Sequence, residues 1–296
     1  MRRETMRRIA YPAAVLVVLA LLATVGLPHG VAAAQSTVEV VAVQRDVLPA
    51  DPHDNAAWRA APTHVVPLMP QNLVEPRLMK ASTKEVRVQA ITDGRRVAFR
   101  LAWVDATQDD LPGVKRYTDA CAVMLPPDAK APVPSPMMGS AGTPVEITYW
   151  SAYWQAAIDG RGDTIKDIYP GAAVDHYPFE APSLKPGSKA QHDMMLRYAP
   201  ARVAGNRRVG PRARPVEDLI AEGPGTISRA TAPKSDGNGS RTDEGWAVVI
   251  SRPNPKGLNS KGVSKVQFAV WNGSHGEVGS RKMWSGWIPL RLKEGR

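Results

Sequence analysis

Short runs in which apolar and polar residues alternate, separated by Gly, Pro and Asn, recur along this chain and constrain its fold more than any other feature. Residues 85–91 put Val86, Val88 and Ala90 on one face, Asp93-Gly94 supplies a turn, and Val97, Phe99, Leu101 and Trp103 alternate on the return, which makes a hairpin. Residues 145–149, 246–250, 266–270 and 288–292 repeat the period of two. Alternation sends every second side chain to the same face, so each run can bury one face in a shared core. Helix signals are few. The expected fold class is mainly β: an antiparallel β-sandwich with long loops and a few short helices.

Residues 1–34 have the order of a secretory signal. Arg2, Arg3, Arg7 and Arg8 precede an apolar run over residues 13–27, and Ala32-Ala33-Ala34 offers a small-residue cleavage site before Gln35. The apolar run is short for a bilayer span and ends in Gly26-Leu27-Pro28. The expectation is a signal peptide over residues 1–34, cleaved after Ala34, and an exported domain over residues 35–296 without stable membrane insertion. The two Arg-Arg pairs leave the route open between the general and twin-arginine pathways.

The formal charge of +10 falls to +7 without residues 1–34, which hold four arginines and one glutamate. No basic helix, zinc-ligand spacing or aromatic-basic repeat accompanies that charge, so nucleic acid is not an expected partner. An acidic protein partner or simple solubility accounts for it. Cys121 is the single cysteine. An internal disulfide, a covalently attached c-type haem and a cysteine-ligated iron–sulfur cluster are therefore excluded. Between Ala120 and Ala122, this thiol reads as a small buried residue.

Two segments read as long loops. Residues 126–136 hold five prolines in eleven positions and cannot be an interior strand. Residues 159–215 mix Gly, Pro and charge, with a short helix expected near residues 164–169 and a basic stretch over residues 202–214; loops this long carry function or contact a partner. Residues 237–245 read as a polar turn. Asn238-Gly239-Ser240 and Asn272-Gly273-Ser274 match the glycosylation pattern, which matters only in a eukaryotic secretory pathway.

Catalytic constellations are missing: the sequence contains no Gly-x-Ser-x-Gly elbow, His-Glu-x-x-His, phosphate loop or dinucleotide fingerprint. His53, His64, His176, His192 and His275 lack metal-ligand spacing and read as surface or hydrogen-bonded residues. Asp109-Asp110 reads as solvated. Methionine and tryptophan are unusual in standing beside turns and strand ends. Met137-Met138-Gly139 follows the proline-rich loop, Trp271-Asn272-Gly273 closes a strand, and residues 281–287 (RKMWSGW) lead into the last one. Taken alone, the methionines read as packing and Lys282 as a solvated loop residue.

These segments, in this order, resemble a known family. VAFRLAWVD (97–105), DACAVMLP (119–126), Met138-Gly139 with PVEITYW (144–150), DLIAEGPGT (218–226), GWAVVISRP (245–253), VQFAVWNG (266–273) and KMWSGW (282–287) are similar to the haem b-binding gamma subunits of periplasmic molybdenum enzymes, the ethylbenzene dehydrogenase and dimethyl sulfide dehydrogenase group. The resemblance covers much of the chain outside residues 159–215. It implies a β-sandwich holding one non-covalent haem b between loops at one end, ligated by a methionine and a lysine. Those ligands match Met138 and Lys282, with the doubled methionine leaving Met137 as the competitor. The resemblance also implies a non-catalytic, periplasmic electron-transfer subunit. Its partners would be a molybdopterin catalytic subunit, an iron–sulfur subunit and a soluble cytochrome or similar carrier.

Residue chemistry is compatible with that reading. A thioether is a soft neutral ligand that favours ferrous iron. Lysine donates to a metal only as the neutral amine, which requires an apolar wall to lower its pKa; Met283, Trp284 and Trp287 are the expected wall. Lys256, Lys261 and Lys265 lack such neighbours. A second reading is an exported carbohydrate-binding sandwich with exposed Trp150, Trp154, Trp284 and Trp287 as stacking platforms. A third is a sandwich that only bridges other subunits.

Overall fold

The computed structural model describes residues 38–162, 165–173, 180–204 and 212–294. Its strands are β1 (Val40–Gln44), β2 (His64–Pro67), β3 (Met69–Pro70), β4 (Glu85–Thr92), β5 (Arg96–Val104), β6 (Ala120–Leu125), β7 (Val145–Ser151), β8 (Val216–Ala221), β9 (Ser228–Arg229), β10 (Asp236–Arg241), β11 (Gly245–Pro253), β12 (Val263–Trp271), β13 (Met283–Trp284) and β14 (Ile288–Lys293). Each alternating run in the sequence has become one of them. At the hairpin turn between β4 and β5, Asp93 Oδ1 accepts hydrogen bonds from Arg95 N at 2.8 Å and Arg96 N at 2.6 Å. An Asp side chain stabilising its own turn in this way is the physical content of the Asp-Gly signal.

Eleven of the described strands form one path, β10-β11-β5-β4-β1-β14-β12-β6-β7-β8-β9, folded into two layers; β2 pairs with β4, and β13 pairs with β12 and β3. β12 makes the corner: residues 263–266 pair with β14, and residues 267–271 pair with β6. Between the layers lies the main core, where Phe99 meets Phe268 edge-on at 5.8 Å, and Trp150 meets Trp103 at 6.4 Å and Trp246 at 5.2 Å. Cys121 is fully buried in this core, and burial pushes its thiol pKa well up, so it packs as an inert small residue. The fold is the expected mainly β sandwich, with one departure from antiparallel pairing. β1 runs parallel to both β4 and β14, and the long connection between β1 and β4 gives the chain room to return in the same direction.

Residues 237–245 are a correction. Rather than a polar turn, most of them belong to β10, which pairs antiparallel with β11 over six residues. The glycines are there because large neighbours press on the strand: a Cβ on Gly239 would stand 2.3 Å from Trp150 Cζ2, and one on Gly237 would stand 2.3 Å from Val216 Cγ1. Their lack of a side chain is what hid the strand from an apolar-periodicity reading.

Among the described residues, five short α-helices accompany the strands: α1 (Asn55–Trp58), α2 (Ala152–Ala156), which runs on into a π-helical turn over Ala157–Arg161, α3 (Ile165–Ile168), α4 (Lys189–Tyr198) and α5 (Pro200–Val203). α3 stands where a short helix was expected. α4 was not expected; Ser188 caps it by accepting from Gln191 N at 3.2 Å. Among the described residues no helix is long and apolar enough to cross a membrane. The expected signal segment, His176 and residues 205–211 of the basic stretch lie outside the described residues.

Candidate functional site

β6 differs from the other strands in having both faces apolar and all six residues buried. Cys121, Val123 and Leu125 face the main core, whereas Ala120, Ala122 and Met124 face away from it and belong to a second apolar cluster with Ile147, Ala269 and Trp271. A strand apolar on both faces must be covered on both. Over this outer face of β12, β6 and β7 lies a cavity of about 290 Å³. That volume is at the lower edge of the range of roughly 300–1,000 Å³ usual for small-molecule sites.

The two sequence-predicted ligand segments meet in this cavity. Met137, Met138 and Lys282 all line it, with Ala122 and Ala269 among the small floor residues and Tyr149, Trp271 and Trp284 as aromatic walls. Tyr149 and Trp271 hold each other edge-on at 5.3 Å. Met283, expected in the wall, is instead fully buried in the main core, because β13 alternates and sends only Trp284 outward. Trp287 packs against the second cluster, and its indole N–H donates to Pro134 O at 2.7 Å, which ties the proline-rich loop down.

The methionine loop is tightly constrained. Met138 has φ +68°, in the left-handed region, where a non-glycine residue stores roughly 1–2 kcal/mol. Its carbonyl accepts from Gly223 N at 2.8 Å, and Gly139 N donates to Ser135 O at 2.8 Å. Gly139 follows at φ +83°, where a Cβ would lie 2.7 Å from Thr143 O and 2.9 Å from Ala221 O. No other residue fits there without moving backbone, so the Met-Gly pair reads as a fixed loop corner.

Lys282 enters from the opposite edge of the same face. Gln71, itself buried, fixes the backbone around it: Gln71 N donates to Lys282 O at 2.9 Å, and Gln71 Nε2 donates to Ser280 O at 3.0 Å. The Lys282 ammonium lies 5.4 Å from the Trp271 ring centre. Among the described residues it has no carboxylate or hydrogen-bond partner. Partly exposed to the cavity but surrounded by packed protein, it has a pKa lowered from 10.5 to about 8 by burial. Lys256, Lys261, Lys265 and His275 do not line the cavity.

These residues fit the haem that the resemblance implies. The donor set is a thioether and an amine already biased toward neutrality, and the surroundings are flat, aromatic and small-floored. Among the described residues, Gln267 Oε1 and Trp284 Nε1, in buried residues of the wall, have no hydrogen-bond partner. A wall with unmatched polar atoms, an unpaired amine and two apolar methionines is poorly satisfied by itself. Gln71, Gln267 and Tyr149 were missed in the sequence. The available signal was β12's outward alternation, which groups Gln267 with Ala269 and Trp271.

Other sequence expectations resolve differently. Trp150, Trp154 and Trp284 are 0%, 4% and 6% exposed, so they offer no platform for stacking sugars. Asp110 is not simply solvated; it pairs with Arg161 at 2.9 Å. His64 accepts from Val41 N at 3.2 Å, and His53 Nε2 shares a 2.6 Å hydrogen bond with Ser240 Oγ, in line with hydrogen-bonded roles.

Comparison with known proteins gives four findings. Residues 55–283 match the family model described as ethylbenzene dehydrogenase. A candidate respiratory nitrate reductase heme subunit, ORF7, of Haloferax mediterranei is 26% identical over 99% of this chain and 87% of its own length. The chlorate reductase gamma subunit of Ideonella dechloratans is 24% identical over 80% of this chain and 77% of its own. Among solved structures, a family 9 carbohydrate-binding module from Caldicellulosiruptor kristjanssonii overlaps 87% of this chain and 94% of its own at 6% identity; with a TM-score of 0.42 the overlap supports no argument.

Proposed function

The chain belongs to the ethylbenzene dehydrogenase family, and on that premise we propose that it is the haem-binding gamma subunit of a molybdenum oxidoreductase, a non-catalytic subunit that relays electrons. One b-type haem would be held in the cavity over β6 and β12 by the residues that line it. The electrons pass between an iron–sulfur subunit, which serves a molybdopterin catalytic subunit, and a soluble carrier such as a cytochrome. The observation that carries this reading is the convergence of Met137, Met138 and an unpaired Lys282 on one apolar cavity.

A bound haem supplies a one-electron couple. Lys282 would hold the group through its neutral amine, and burial eases the loss of the proton from Nζ that this requires. Met138 would hold it through its thioether; its left-handed backbone, held by Gly139 and Gly223, favours it over Met137. Met138 and Lys282 would together hold the group and keep oxygen and substrate from it, so that it would supply electron transfer without catalysis. Small floor residues and aromatic walls exclude water.

Purified protein should show a Soret band that shifts on reduction and a pigment extractable into acid solvent. A colourless protein refutes the reading. Met138→Ala should abolish the methionine signature and lower the potential while Met137→Ala preserves ligation; the reverse pattern moves the ligand by one residue. Export to the periplasm with cleavage after Ala34 belongs to the same proposal. Intact-mass measurement should find a chain beginning at Gln35, and a mass retaining residues 1–34 counts against cleavage.

A further inference from the structure

We propose that the mouth of this cavity is the docking face for a soluble one-electron carrier that presents an acidic surface. The inference rests on the haem reading above and extends it to the chemistry of the partner. Three loops far apart in sequence bring exposed apolar side chains to one rim. Ile227 and Val278 line the cavity yet are 51% and 41% exposed, and Leu73, beside the lining residue Val74, is 63% exposed. Large apolar groups left in water at a cofactor opening mark a contact site rather than a folding requirement.

Charge on the same loops selects the partner. In residues 71–84, Glu75 is neutralised by Arg77 at 2.8 Å, whereas exposed Lys80 and Lys84 have no ion-pair partner among the described residues. Near Val278, Arg281, stacked over the Tyr117 ring, adds a further positive charge, while Glu277 is buried and hydrogen-bonded to Ser82, with its carboxyl pKa raised mainly by burial; exposed Glu222 on the Ile227 loop opposes these charges, and Lys80, Lys84 and Arg281 outnumber it. A small apolar centre with a basic surround suits a transient electron-transfer encounter, which buries little area and is steered by opposite charge. A permanent interface to another subunit would call for a broader apolar face.

The test uses the haem-loaded chain and two probes, native horse cytochrome c, which is basic, and its succinylated form, which is acidic. Stopped-flow rates of haem reduction or oxidation are followed against ionic strength. The rate with the acidic probe should fall as salt rises, and that with the basic probe should not. Lys80→Glu should slow the acidic probe at low salt by about threefold or more, whereas Lys261→Glu, the same charge change away from the mouth, should have a much smaller effect. Ile227→Ser should slow it even at high salt, where steering is screened. Equal effects of Lys80→Glu and Lys261→Glu, or a rate with the basic probe that falls with salt instead, would overturn the proposal. So would loss of the catalytic and iron–sulfur subunits from complexes carrying Ile227→Ser, which would make the face a subunit interface. Failure of the haem reading shows earlier and separately, as wild-type protein without haem.

Discussion

Lys282→Arg and Lys282→Ala should both abolish the low-spin, six-coordinate haem spectrum expected of the proposed site, and should open the ferrous iron to carbon monoxide and the ferric iron to imidazole. Arginine preserves the positive charge and much of the side-chain volume, but its guanidinium stays protonated and has no lone pair to give. Alanine removes the donor and leaves space. Two chemically different replacements with one spectroscopic result separate loss of a ligand from loss of charge or packing. Wild-type protein, with both axial positions filled, should take up neither exogenous ligand. The cavity provides no substitute, since Lys256, Lys261, Lys265 and His275 lie outside its wall and Gln71 is committed to backbone hydrogen bonds. An unchanged low-spin spectrum in either variant, still closed to carbon monoxide, would remove Lys282 from the iron. Haem content measured alongside distinguishes a changed ligand set from a chain that has lost the cofactor.

How far the sequence discloses this site depends on which physical signal each part carries. The hairpin of β4 and β5 and the strand β12 were legible because burial on one face leaves a period of two. β6 was legible only as an apolar run, and its second apolar face is the mark of the cavity. β10 was hidden because Gly237 and Gly239 make room for Val216 and Trp150 from other strands, a fact of tertiary packing that no local pattern contains. The same holds for Lys282. Its neighbours in sequence suggested a wall of Met283, Trp284 and Trp287, yet strand alternation turned Met283 into the main core, and Trp271, eleven positions upstream, faces the amine with its ring centre 5.4 Å away. Met138 could be singled out beside Gly139, but its left-handed backbone appears only in three dimensions.

Without haem, the Lys282 amine proposed as a ligand should weaken the fold, and the pH dependence should reveal it. The folded-state pKa of Lys282 is about 8, against 10.5 for an ordinary lysine. Below pH 8 both folded and unfolded chains hold the proton, so the folded chain bears the full penalty of a charged amine in an apolar wall. Between pH 8 and 10.5 the unfolded chain binds more protons than the folded one, so this group makes stability rise with pH. The complete shift corresponds to about 3 kcal/mol as an upper bound, reduced by the partial exposure of the side chain. Cys121 acts in the opposite sense, because burial holds its thiol well above 9.0 and the unfolded chain loses that proton first. The wild-type slope is therefore a sum, and the contribution of Lys282 is isolated by comparison with Lys282→Met, which keeps the length and removes the charge. Chemical denaturation of the two apo-proteins should find Lys282→Met more stable at pH 7 by about 1–3 kcal/mol, with the gap closing as pH approaches 10.5. A gap that is absent at pH 7, or constant across that range, would mean that the Lys282 ammonium is well solvated in the apo-protein and that its fitness as a neutral donor arises only on haem binding.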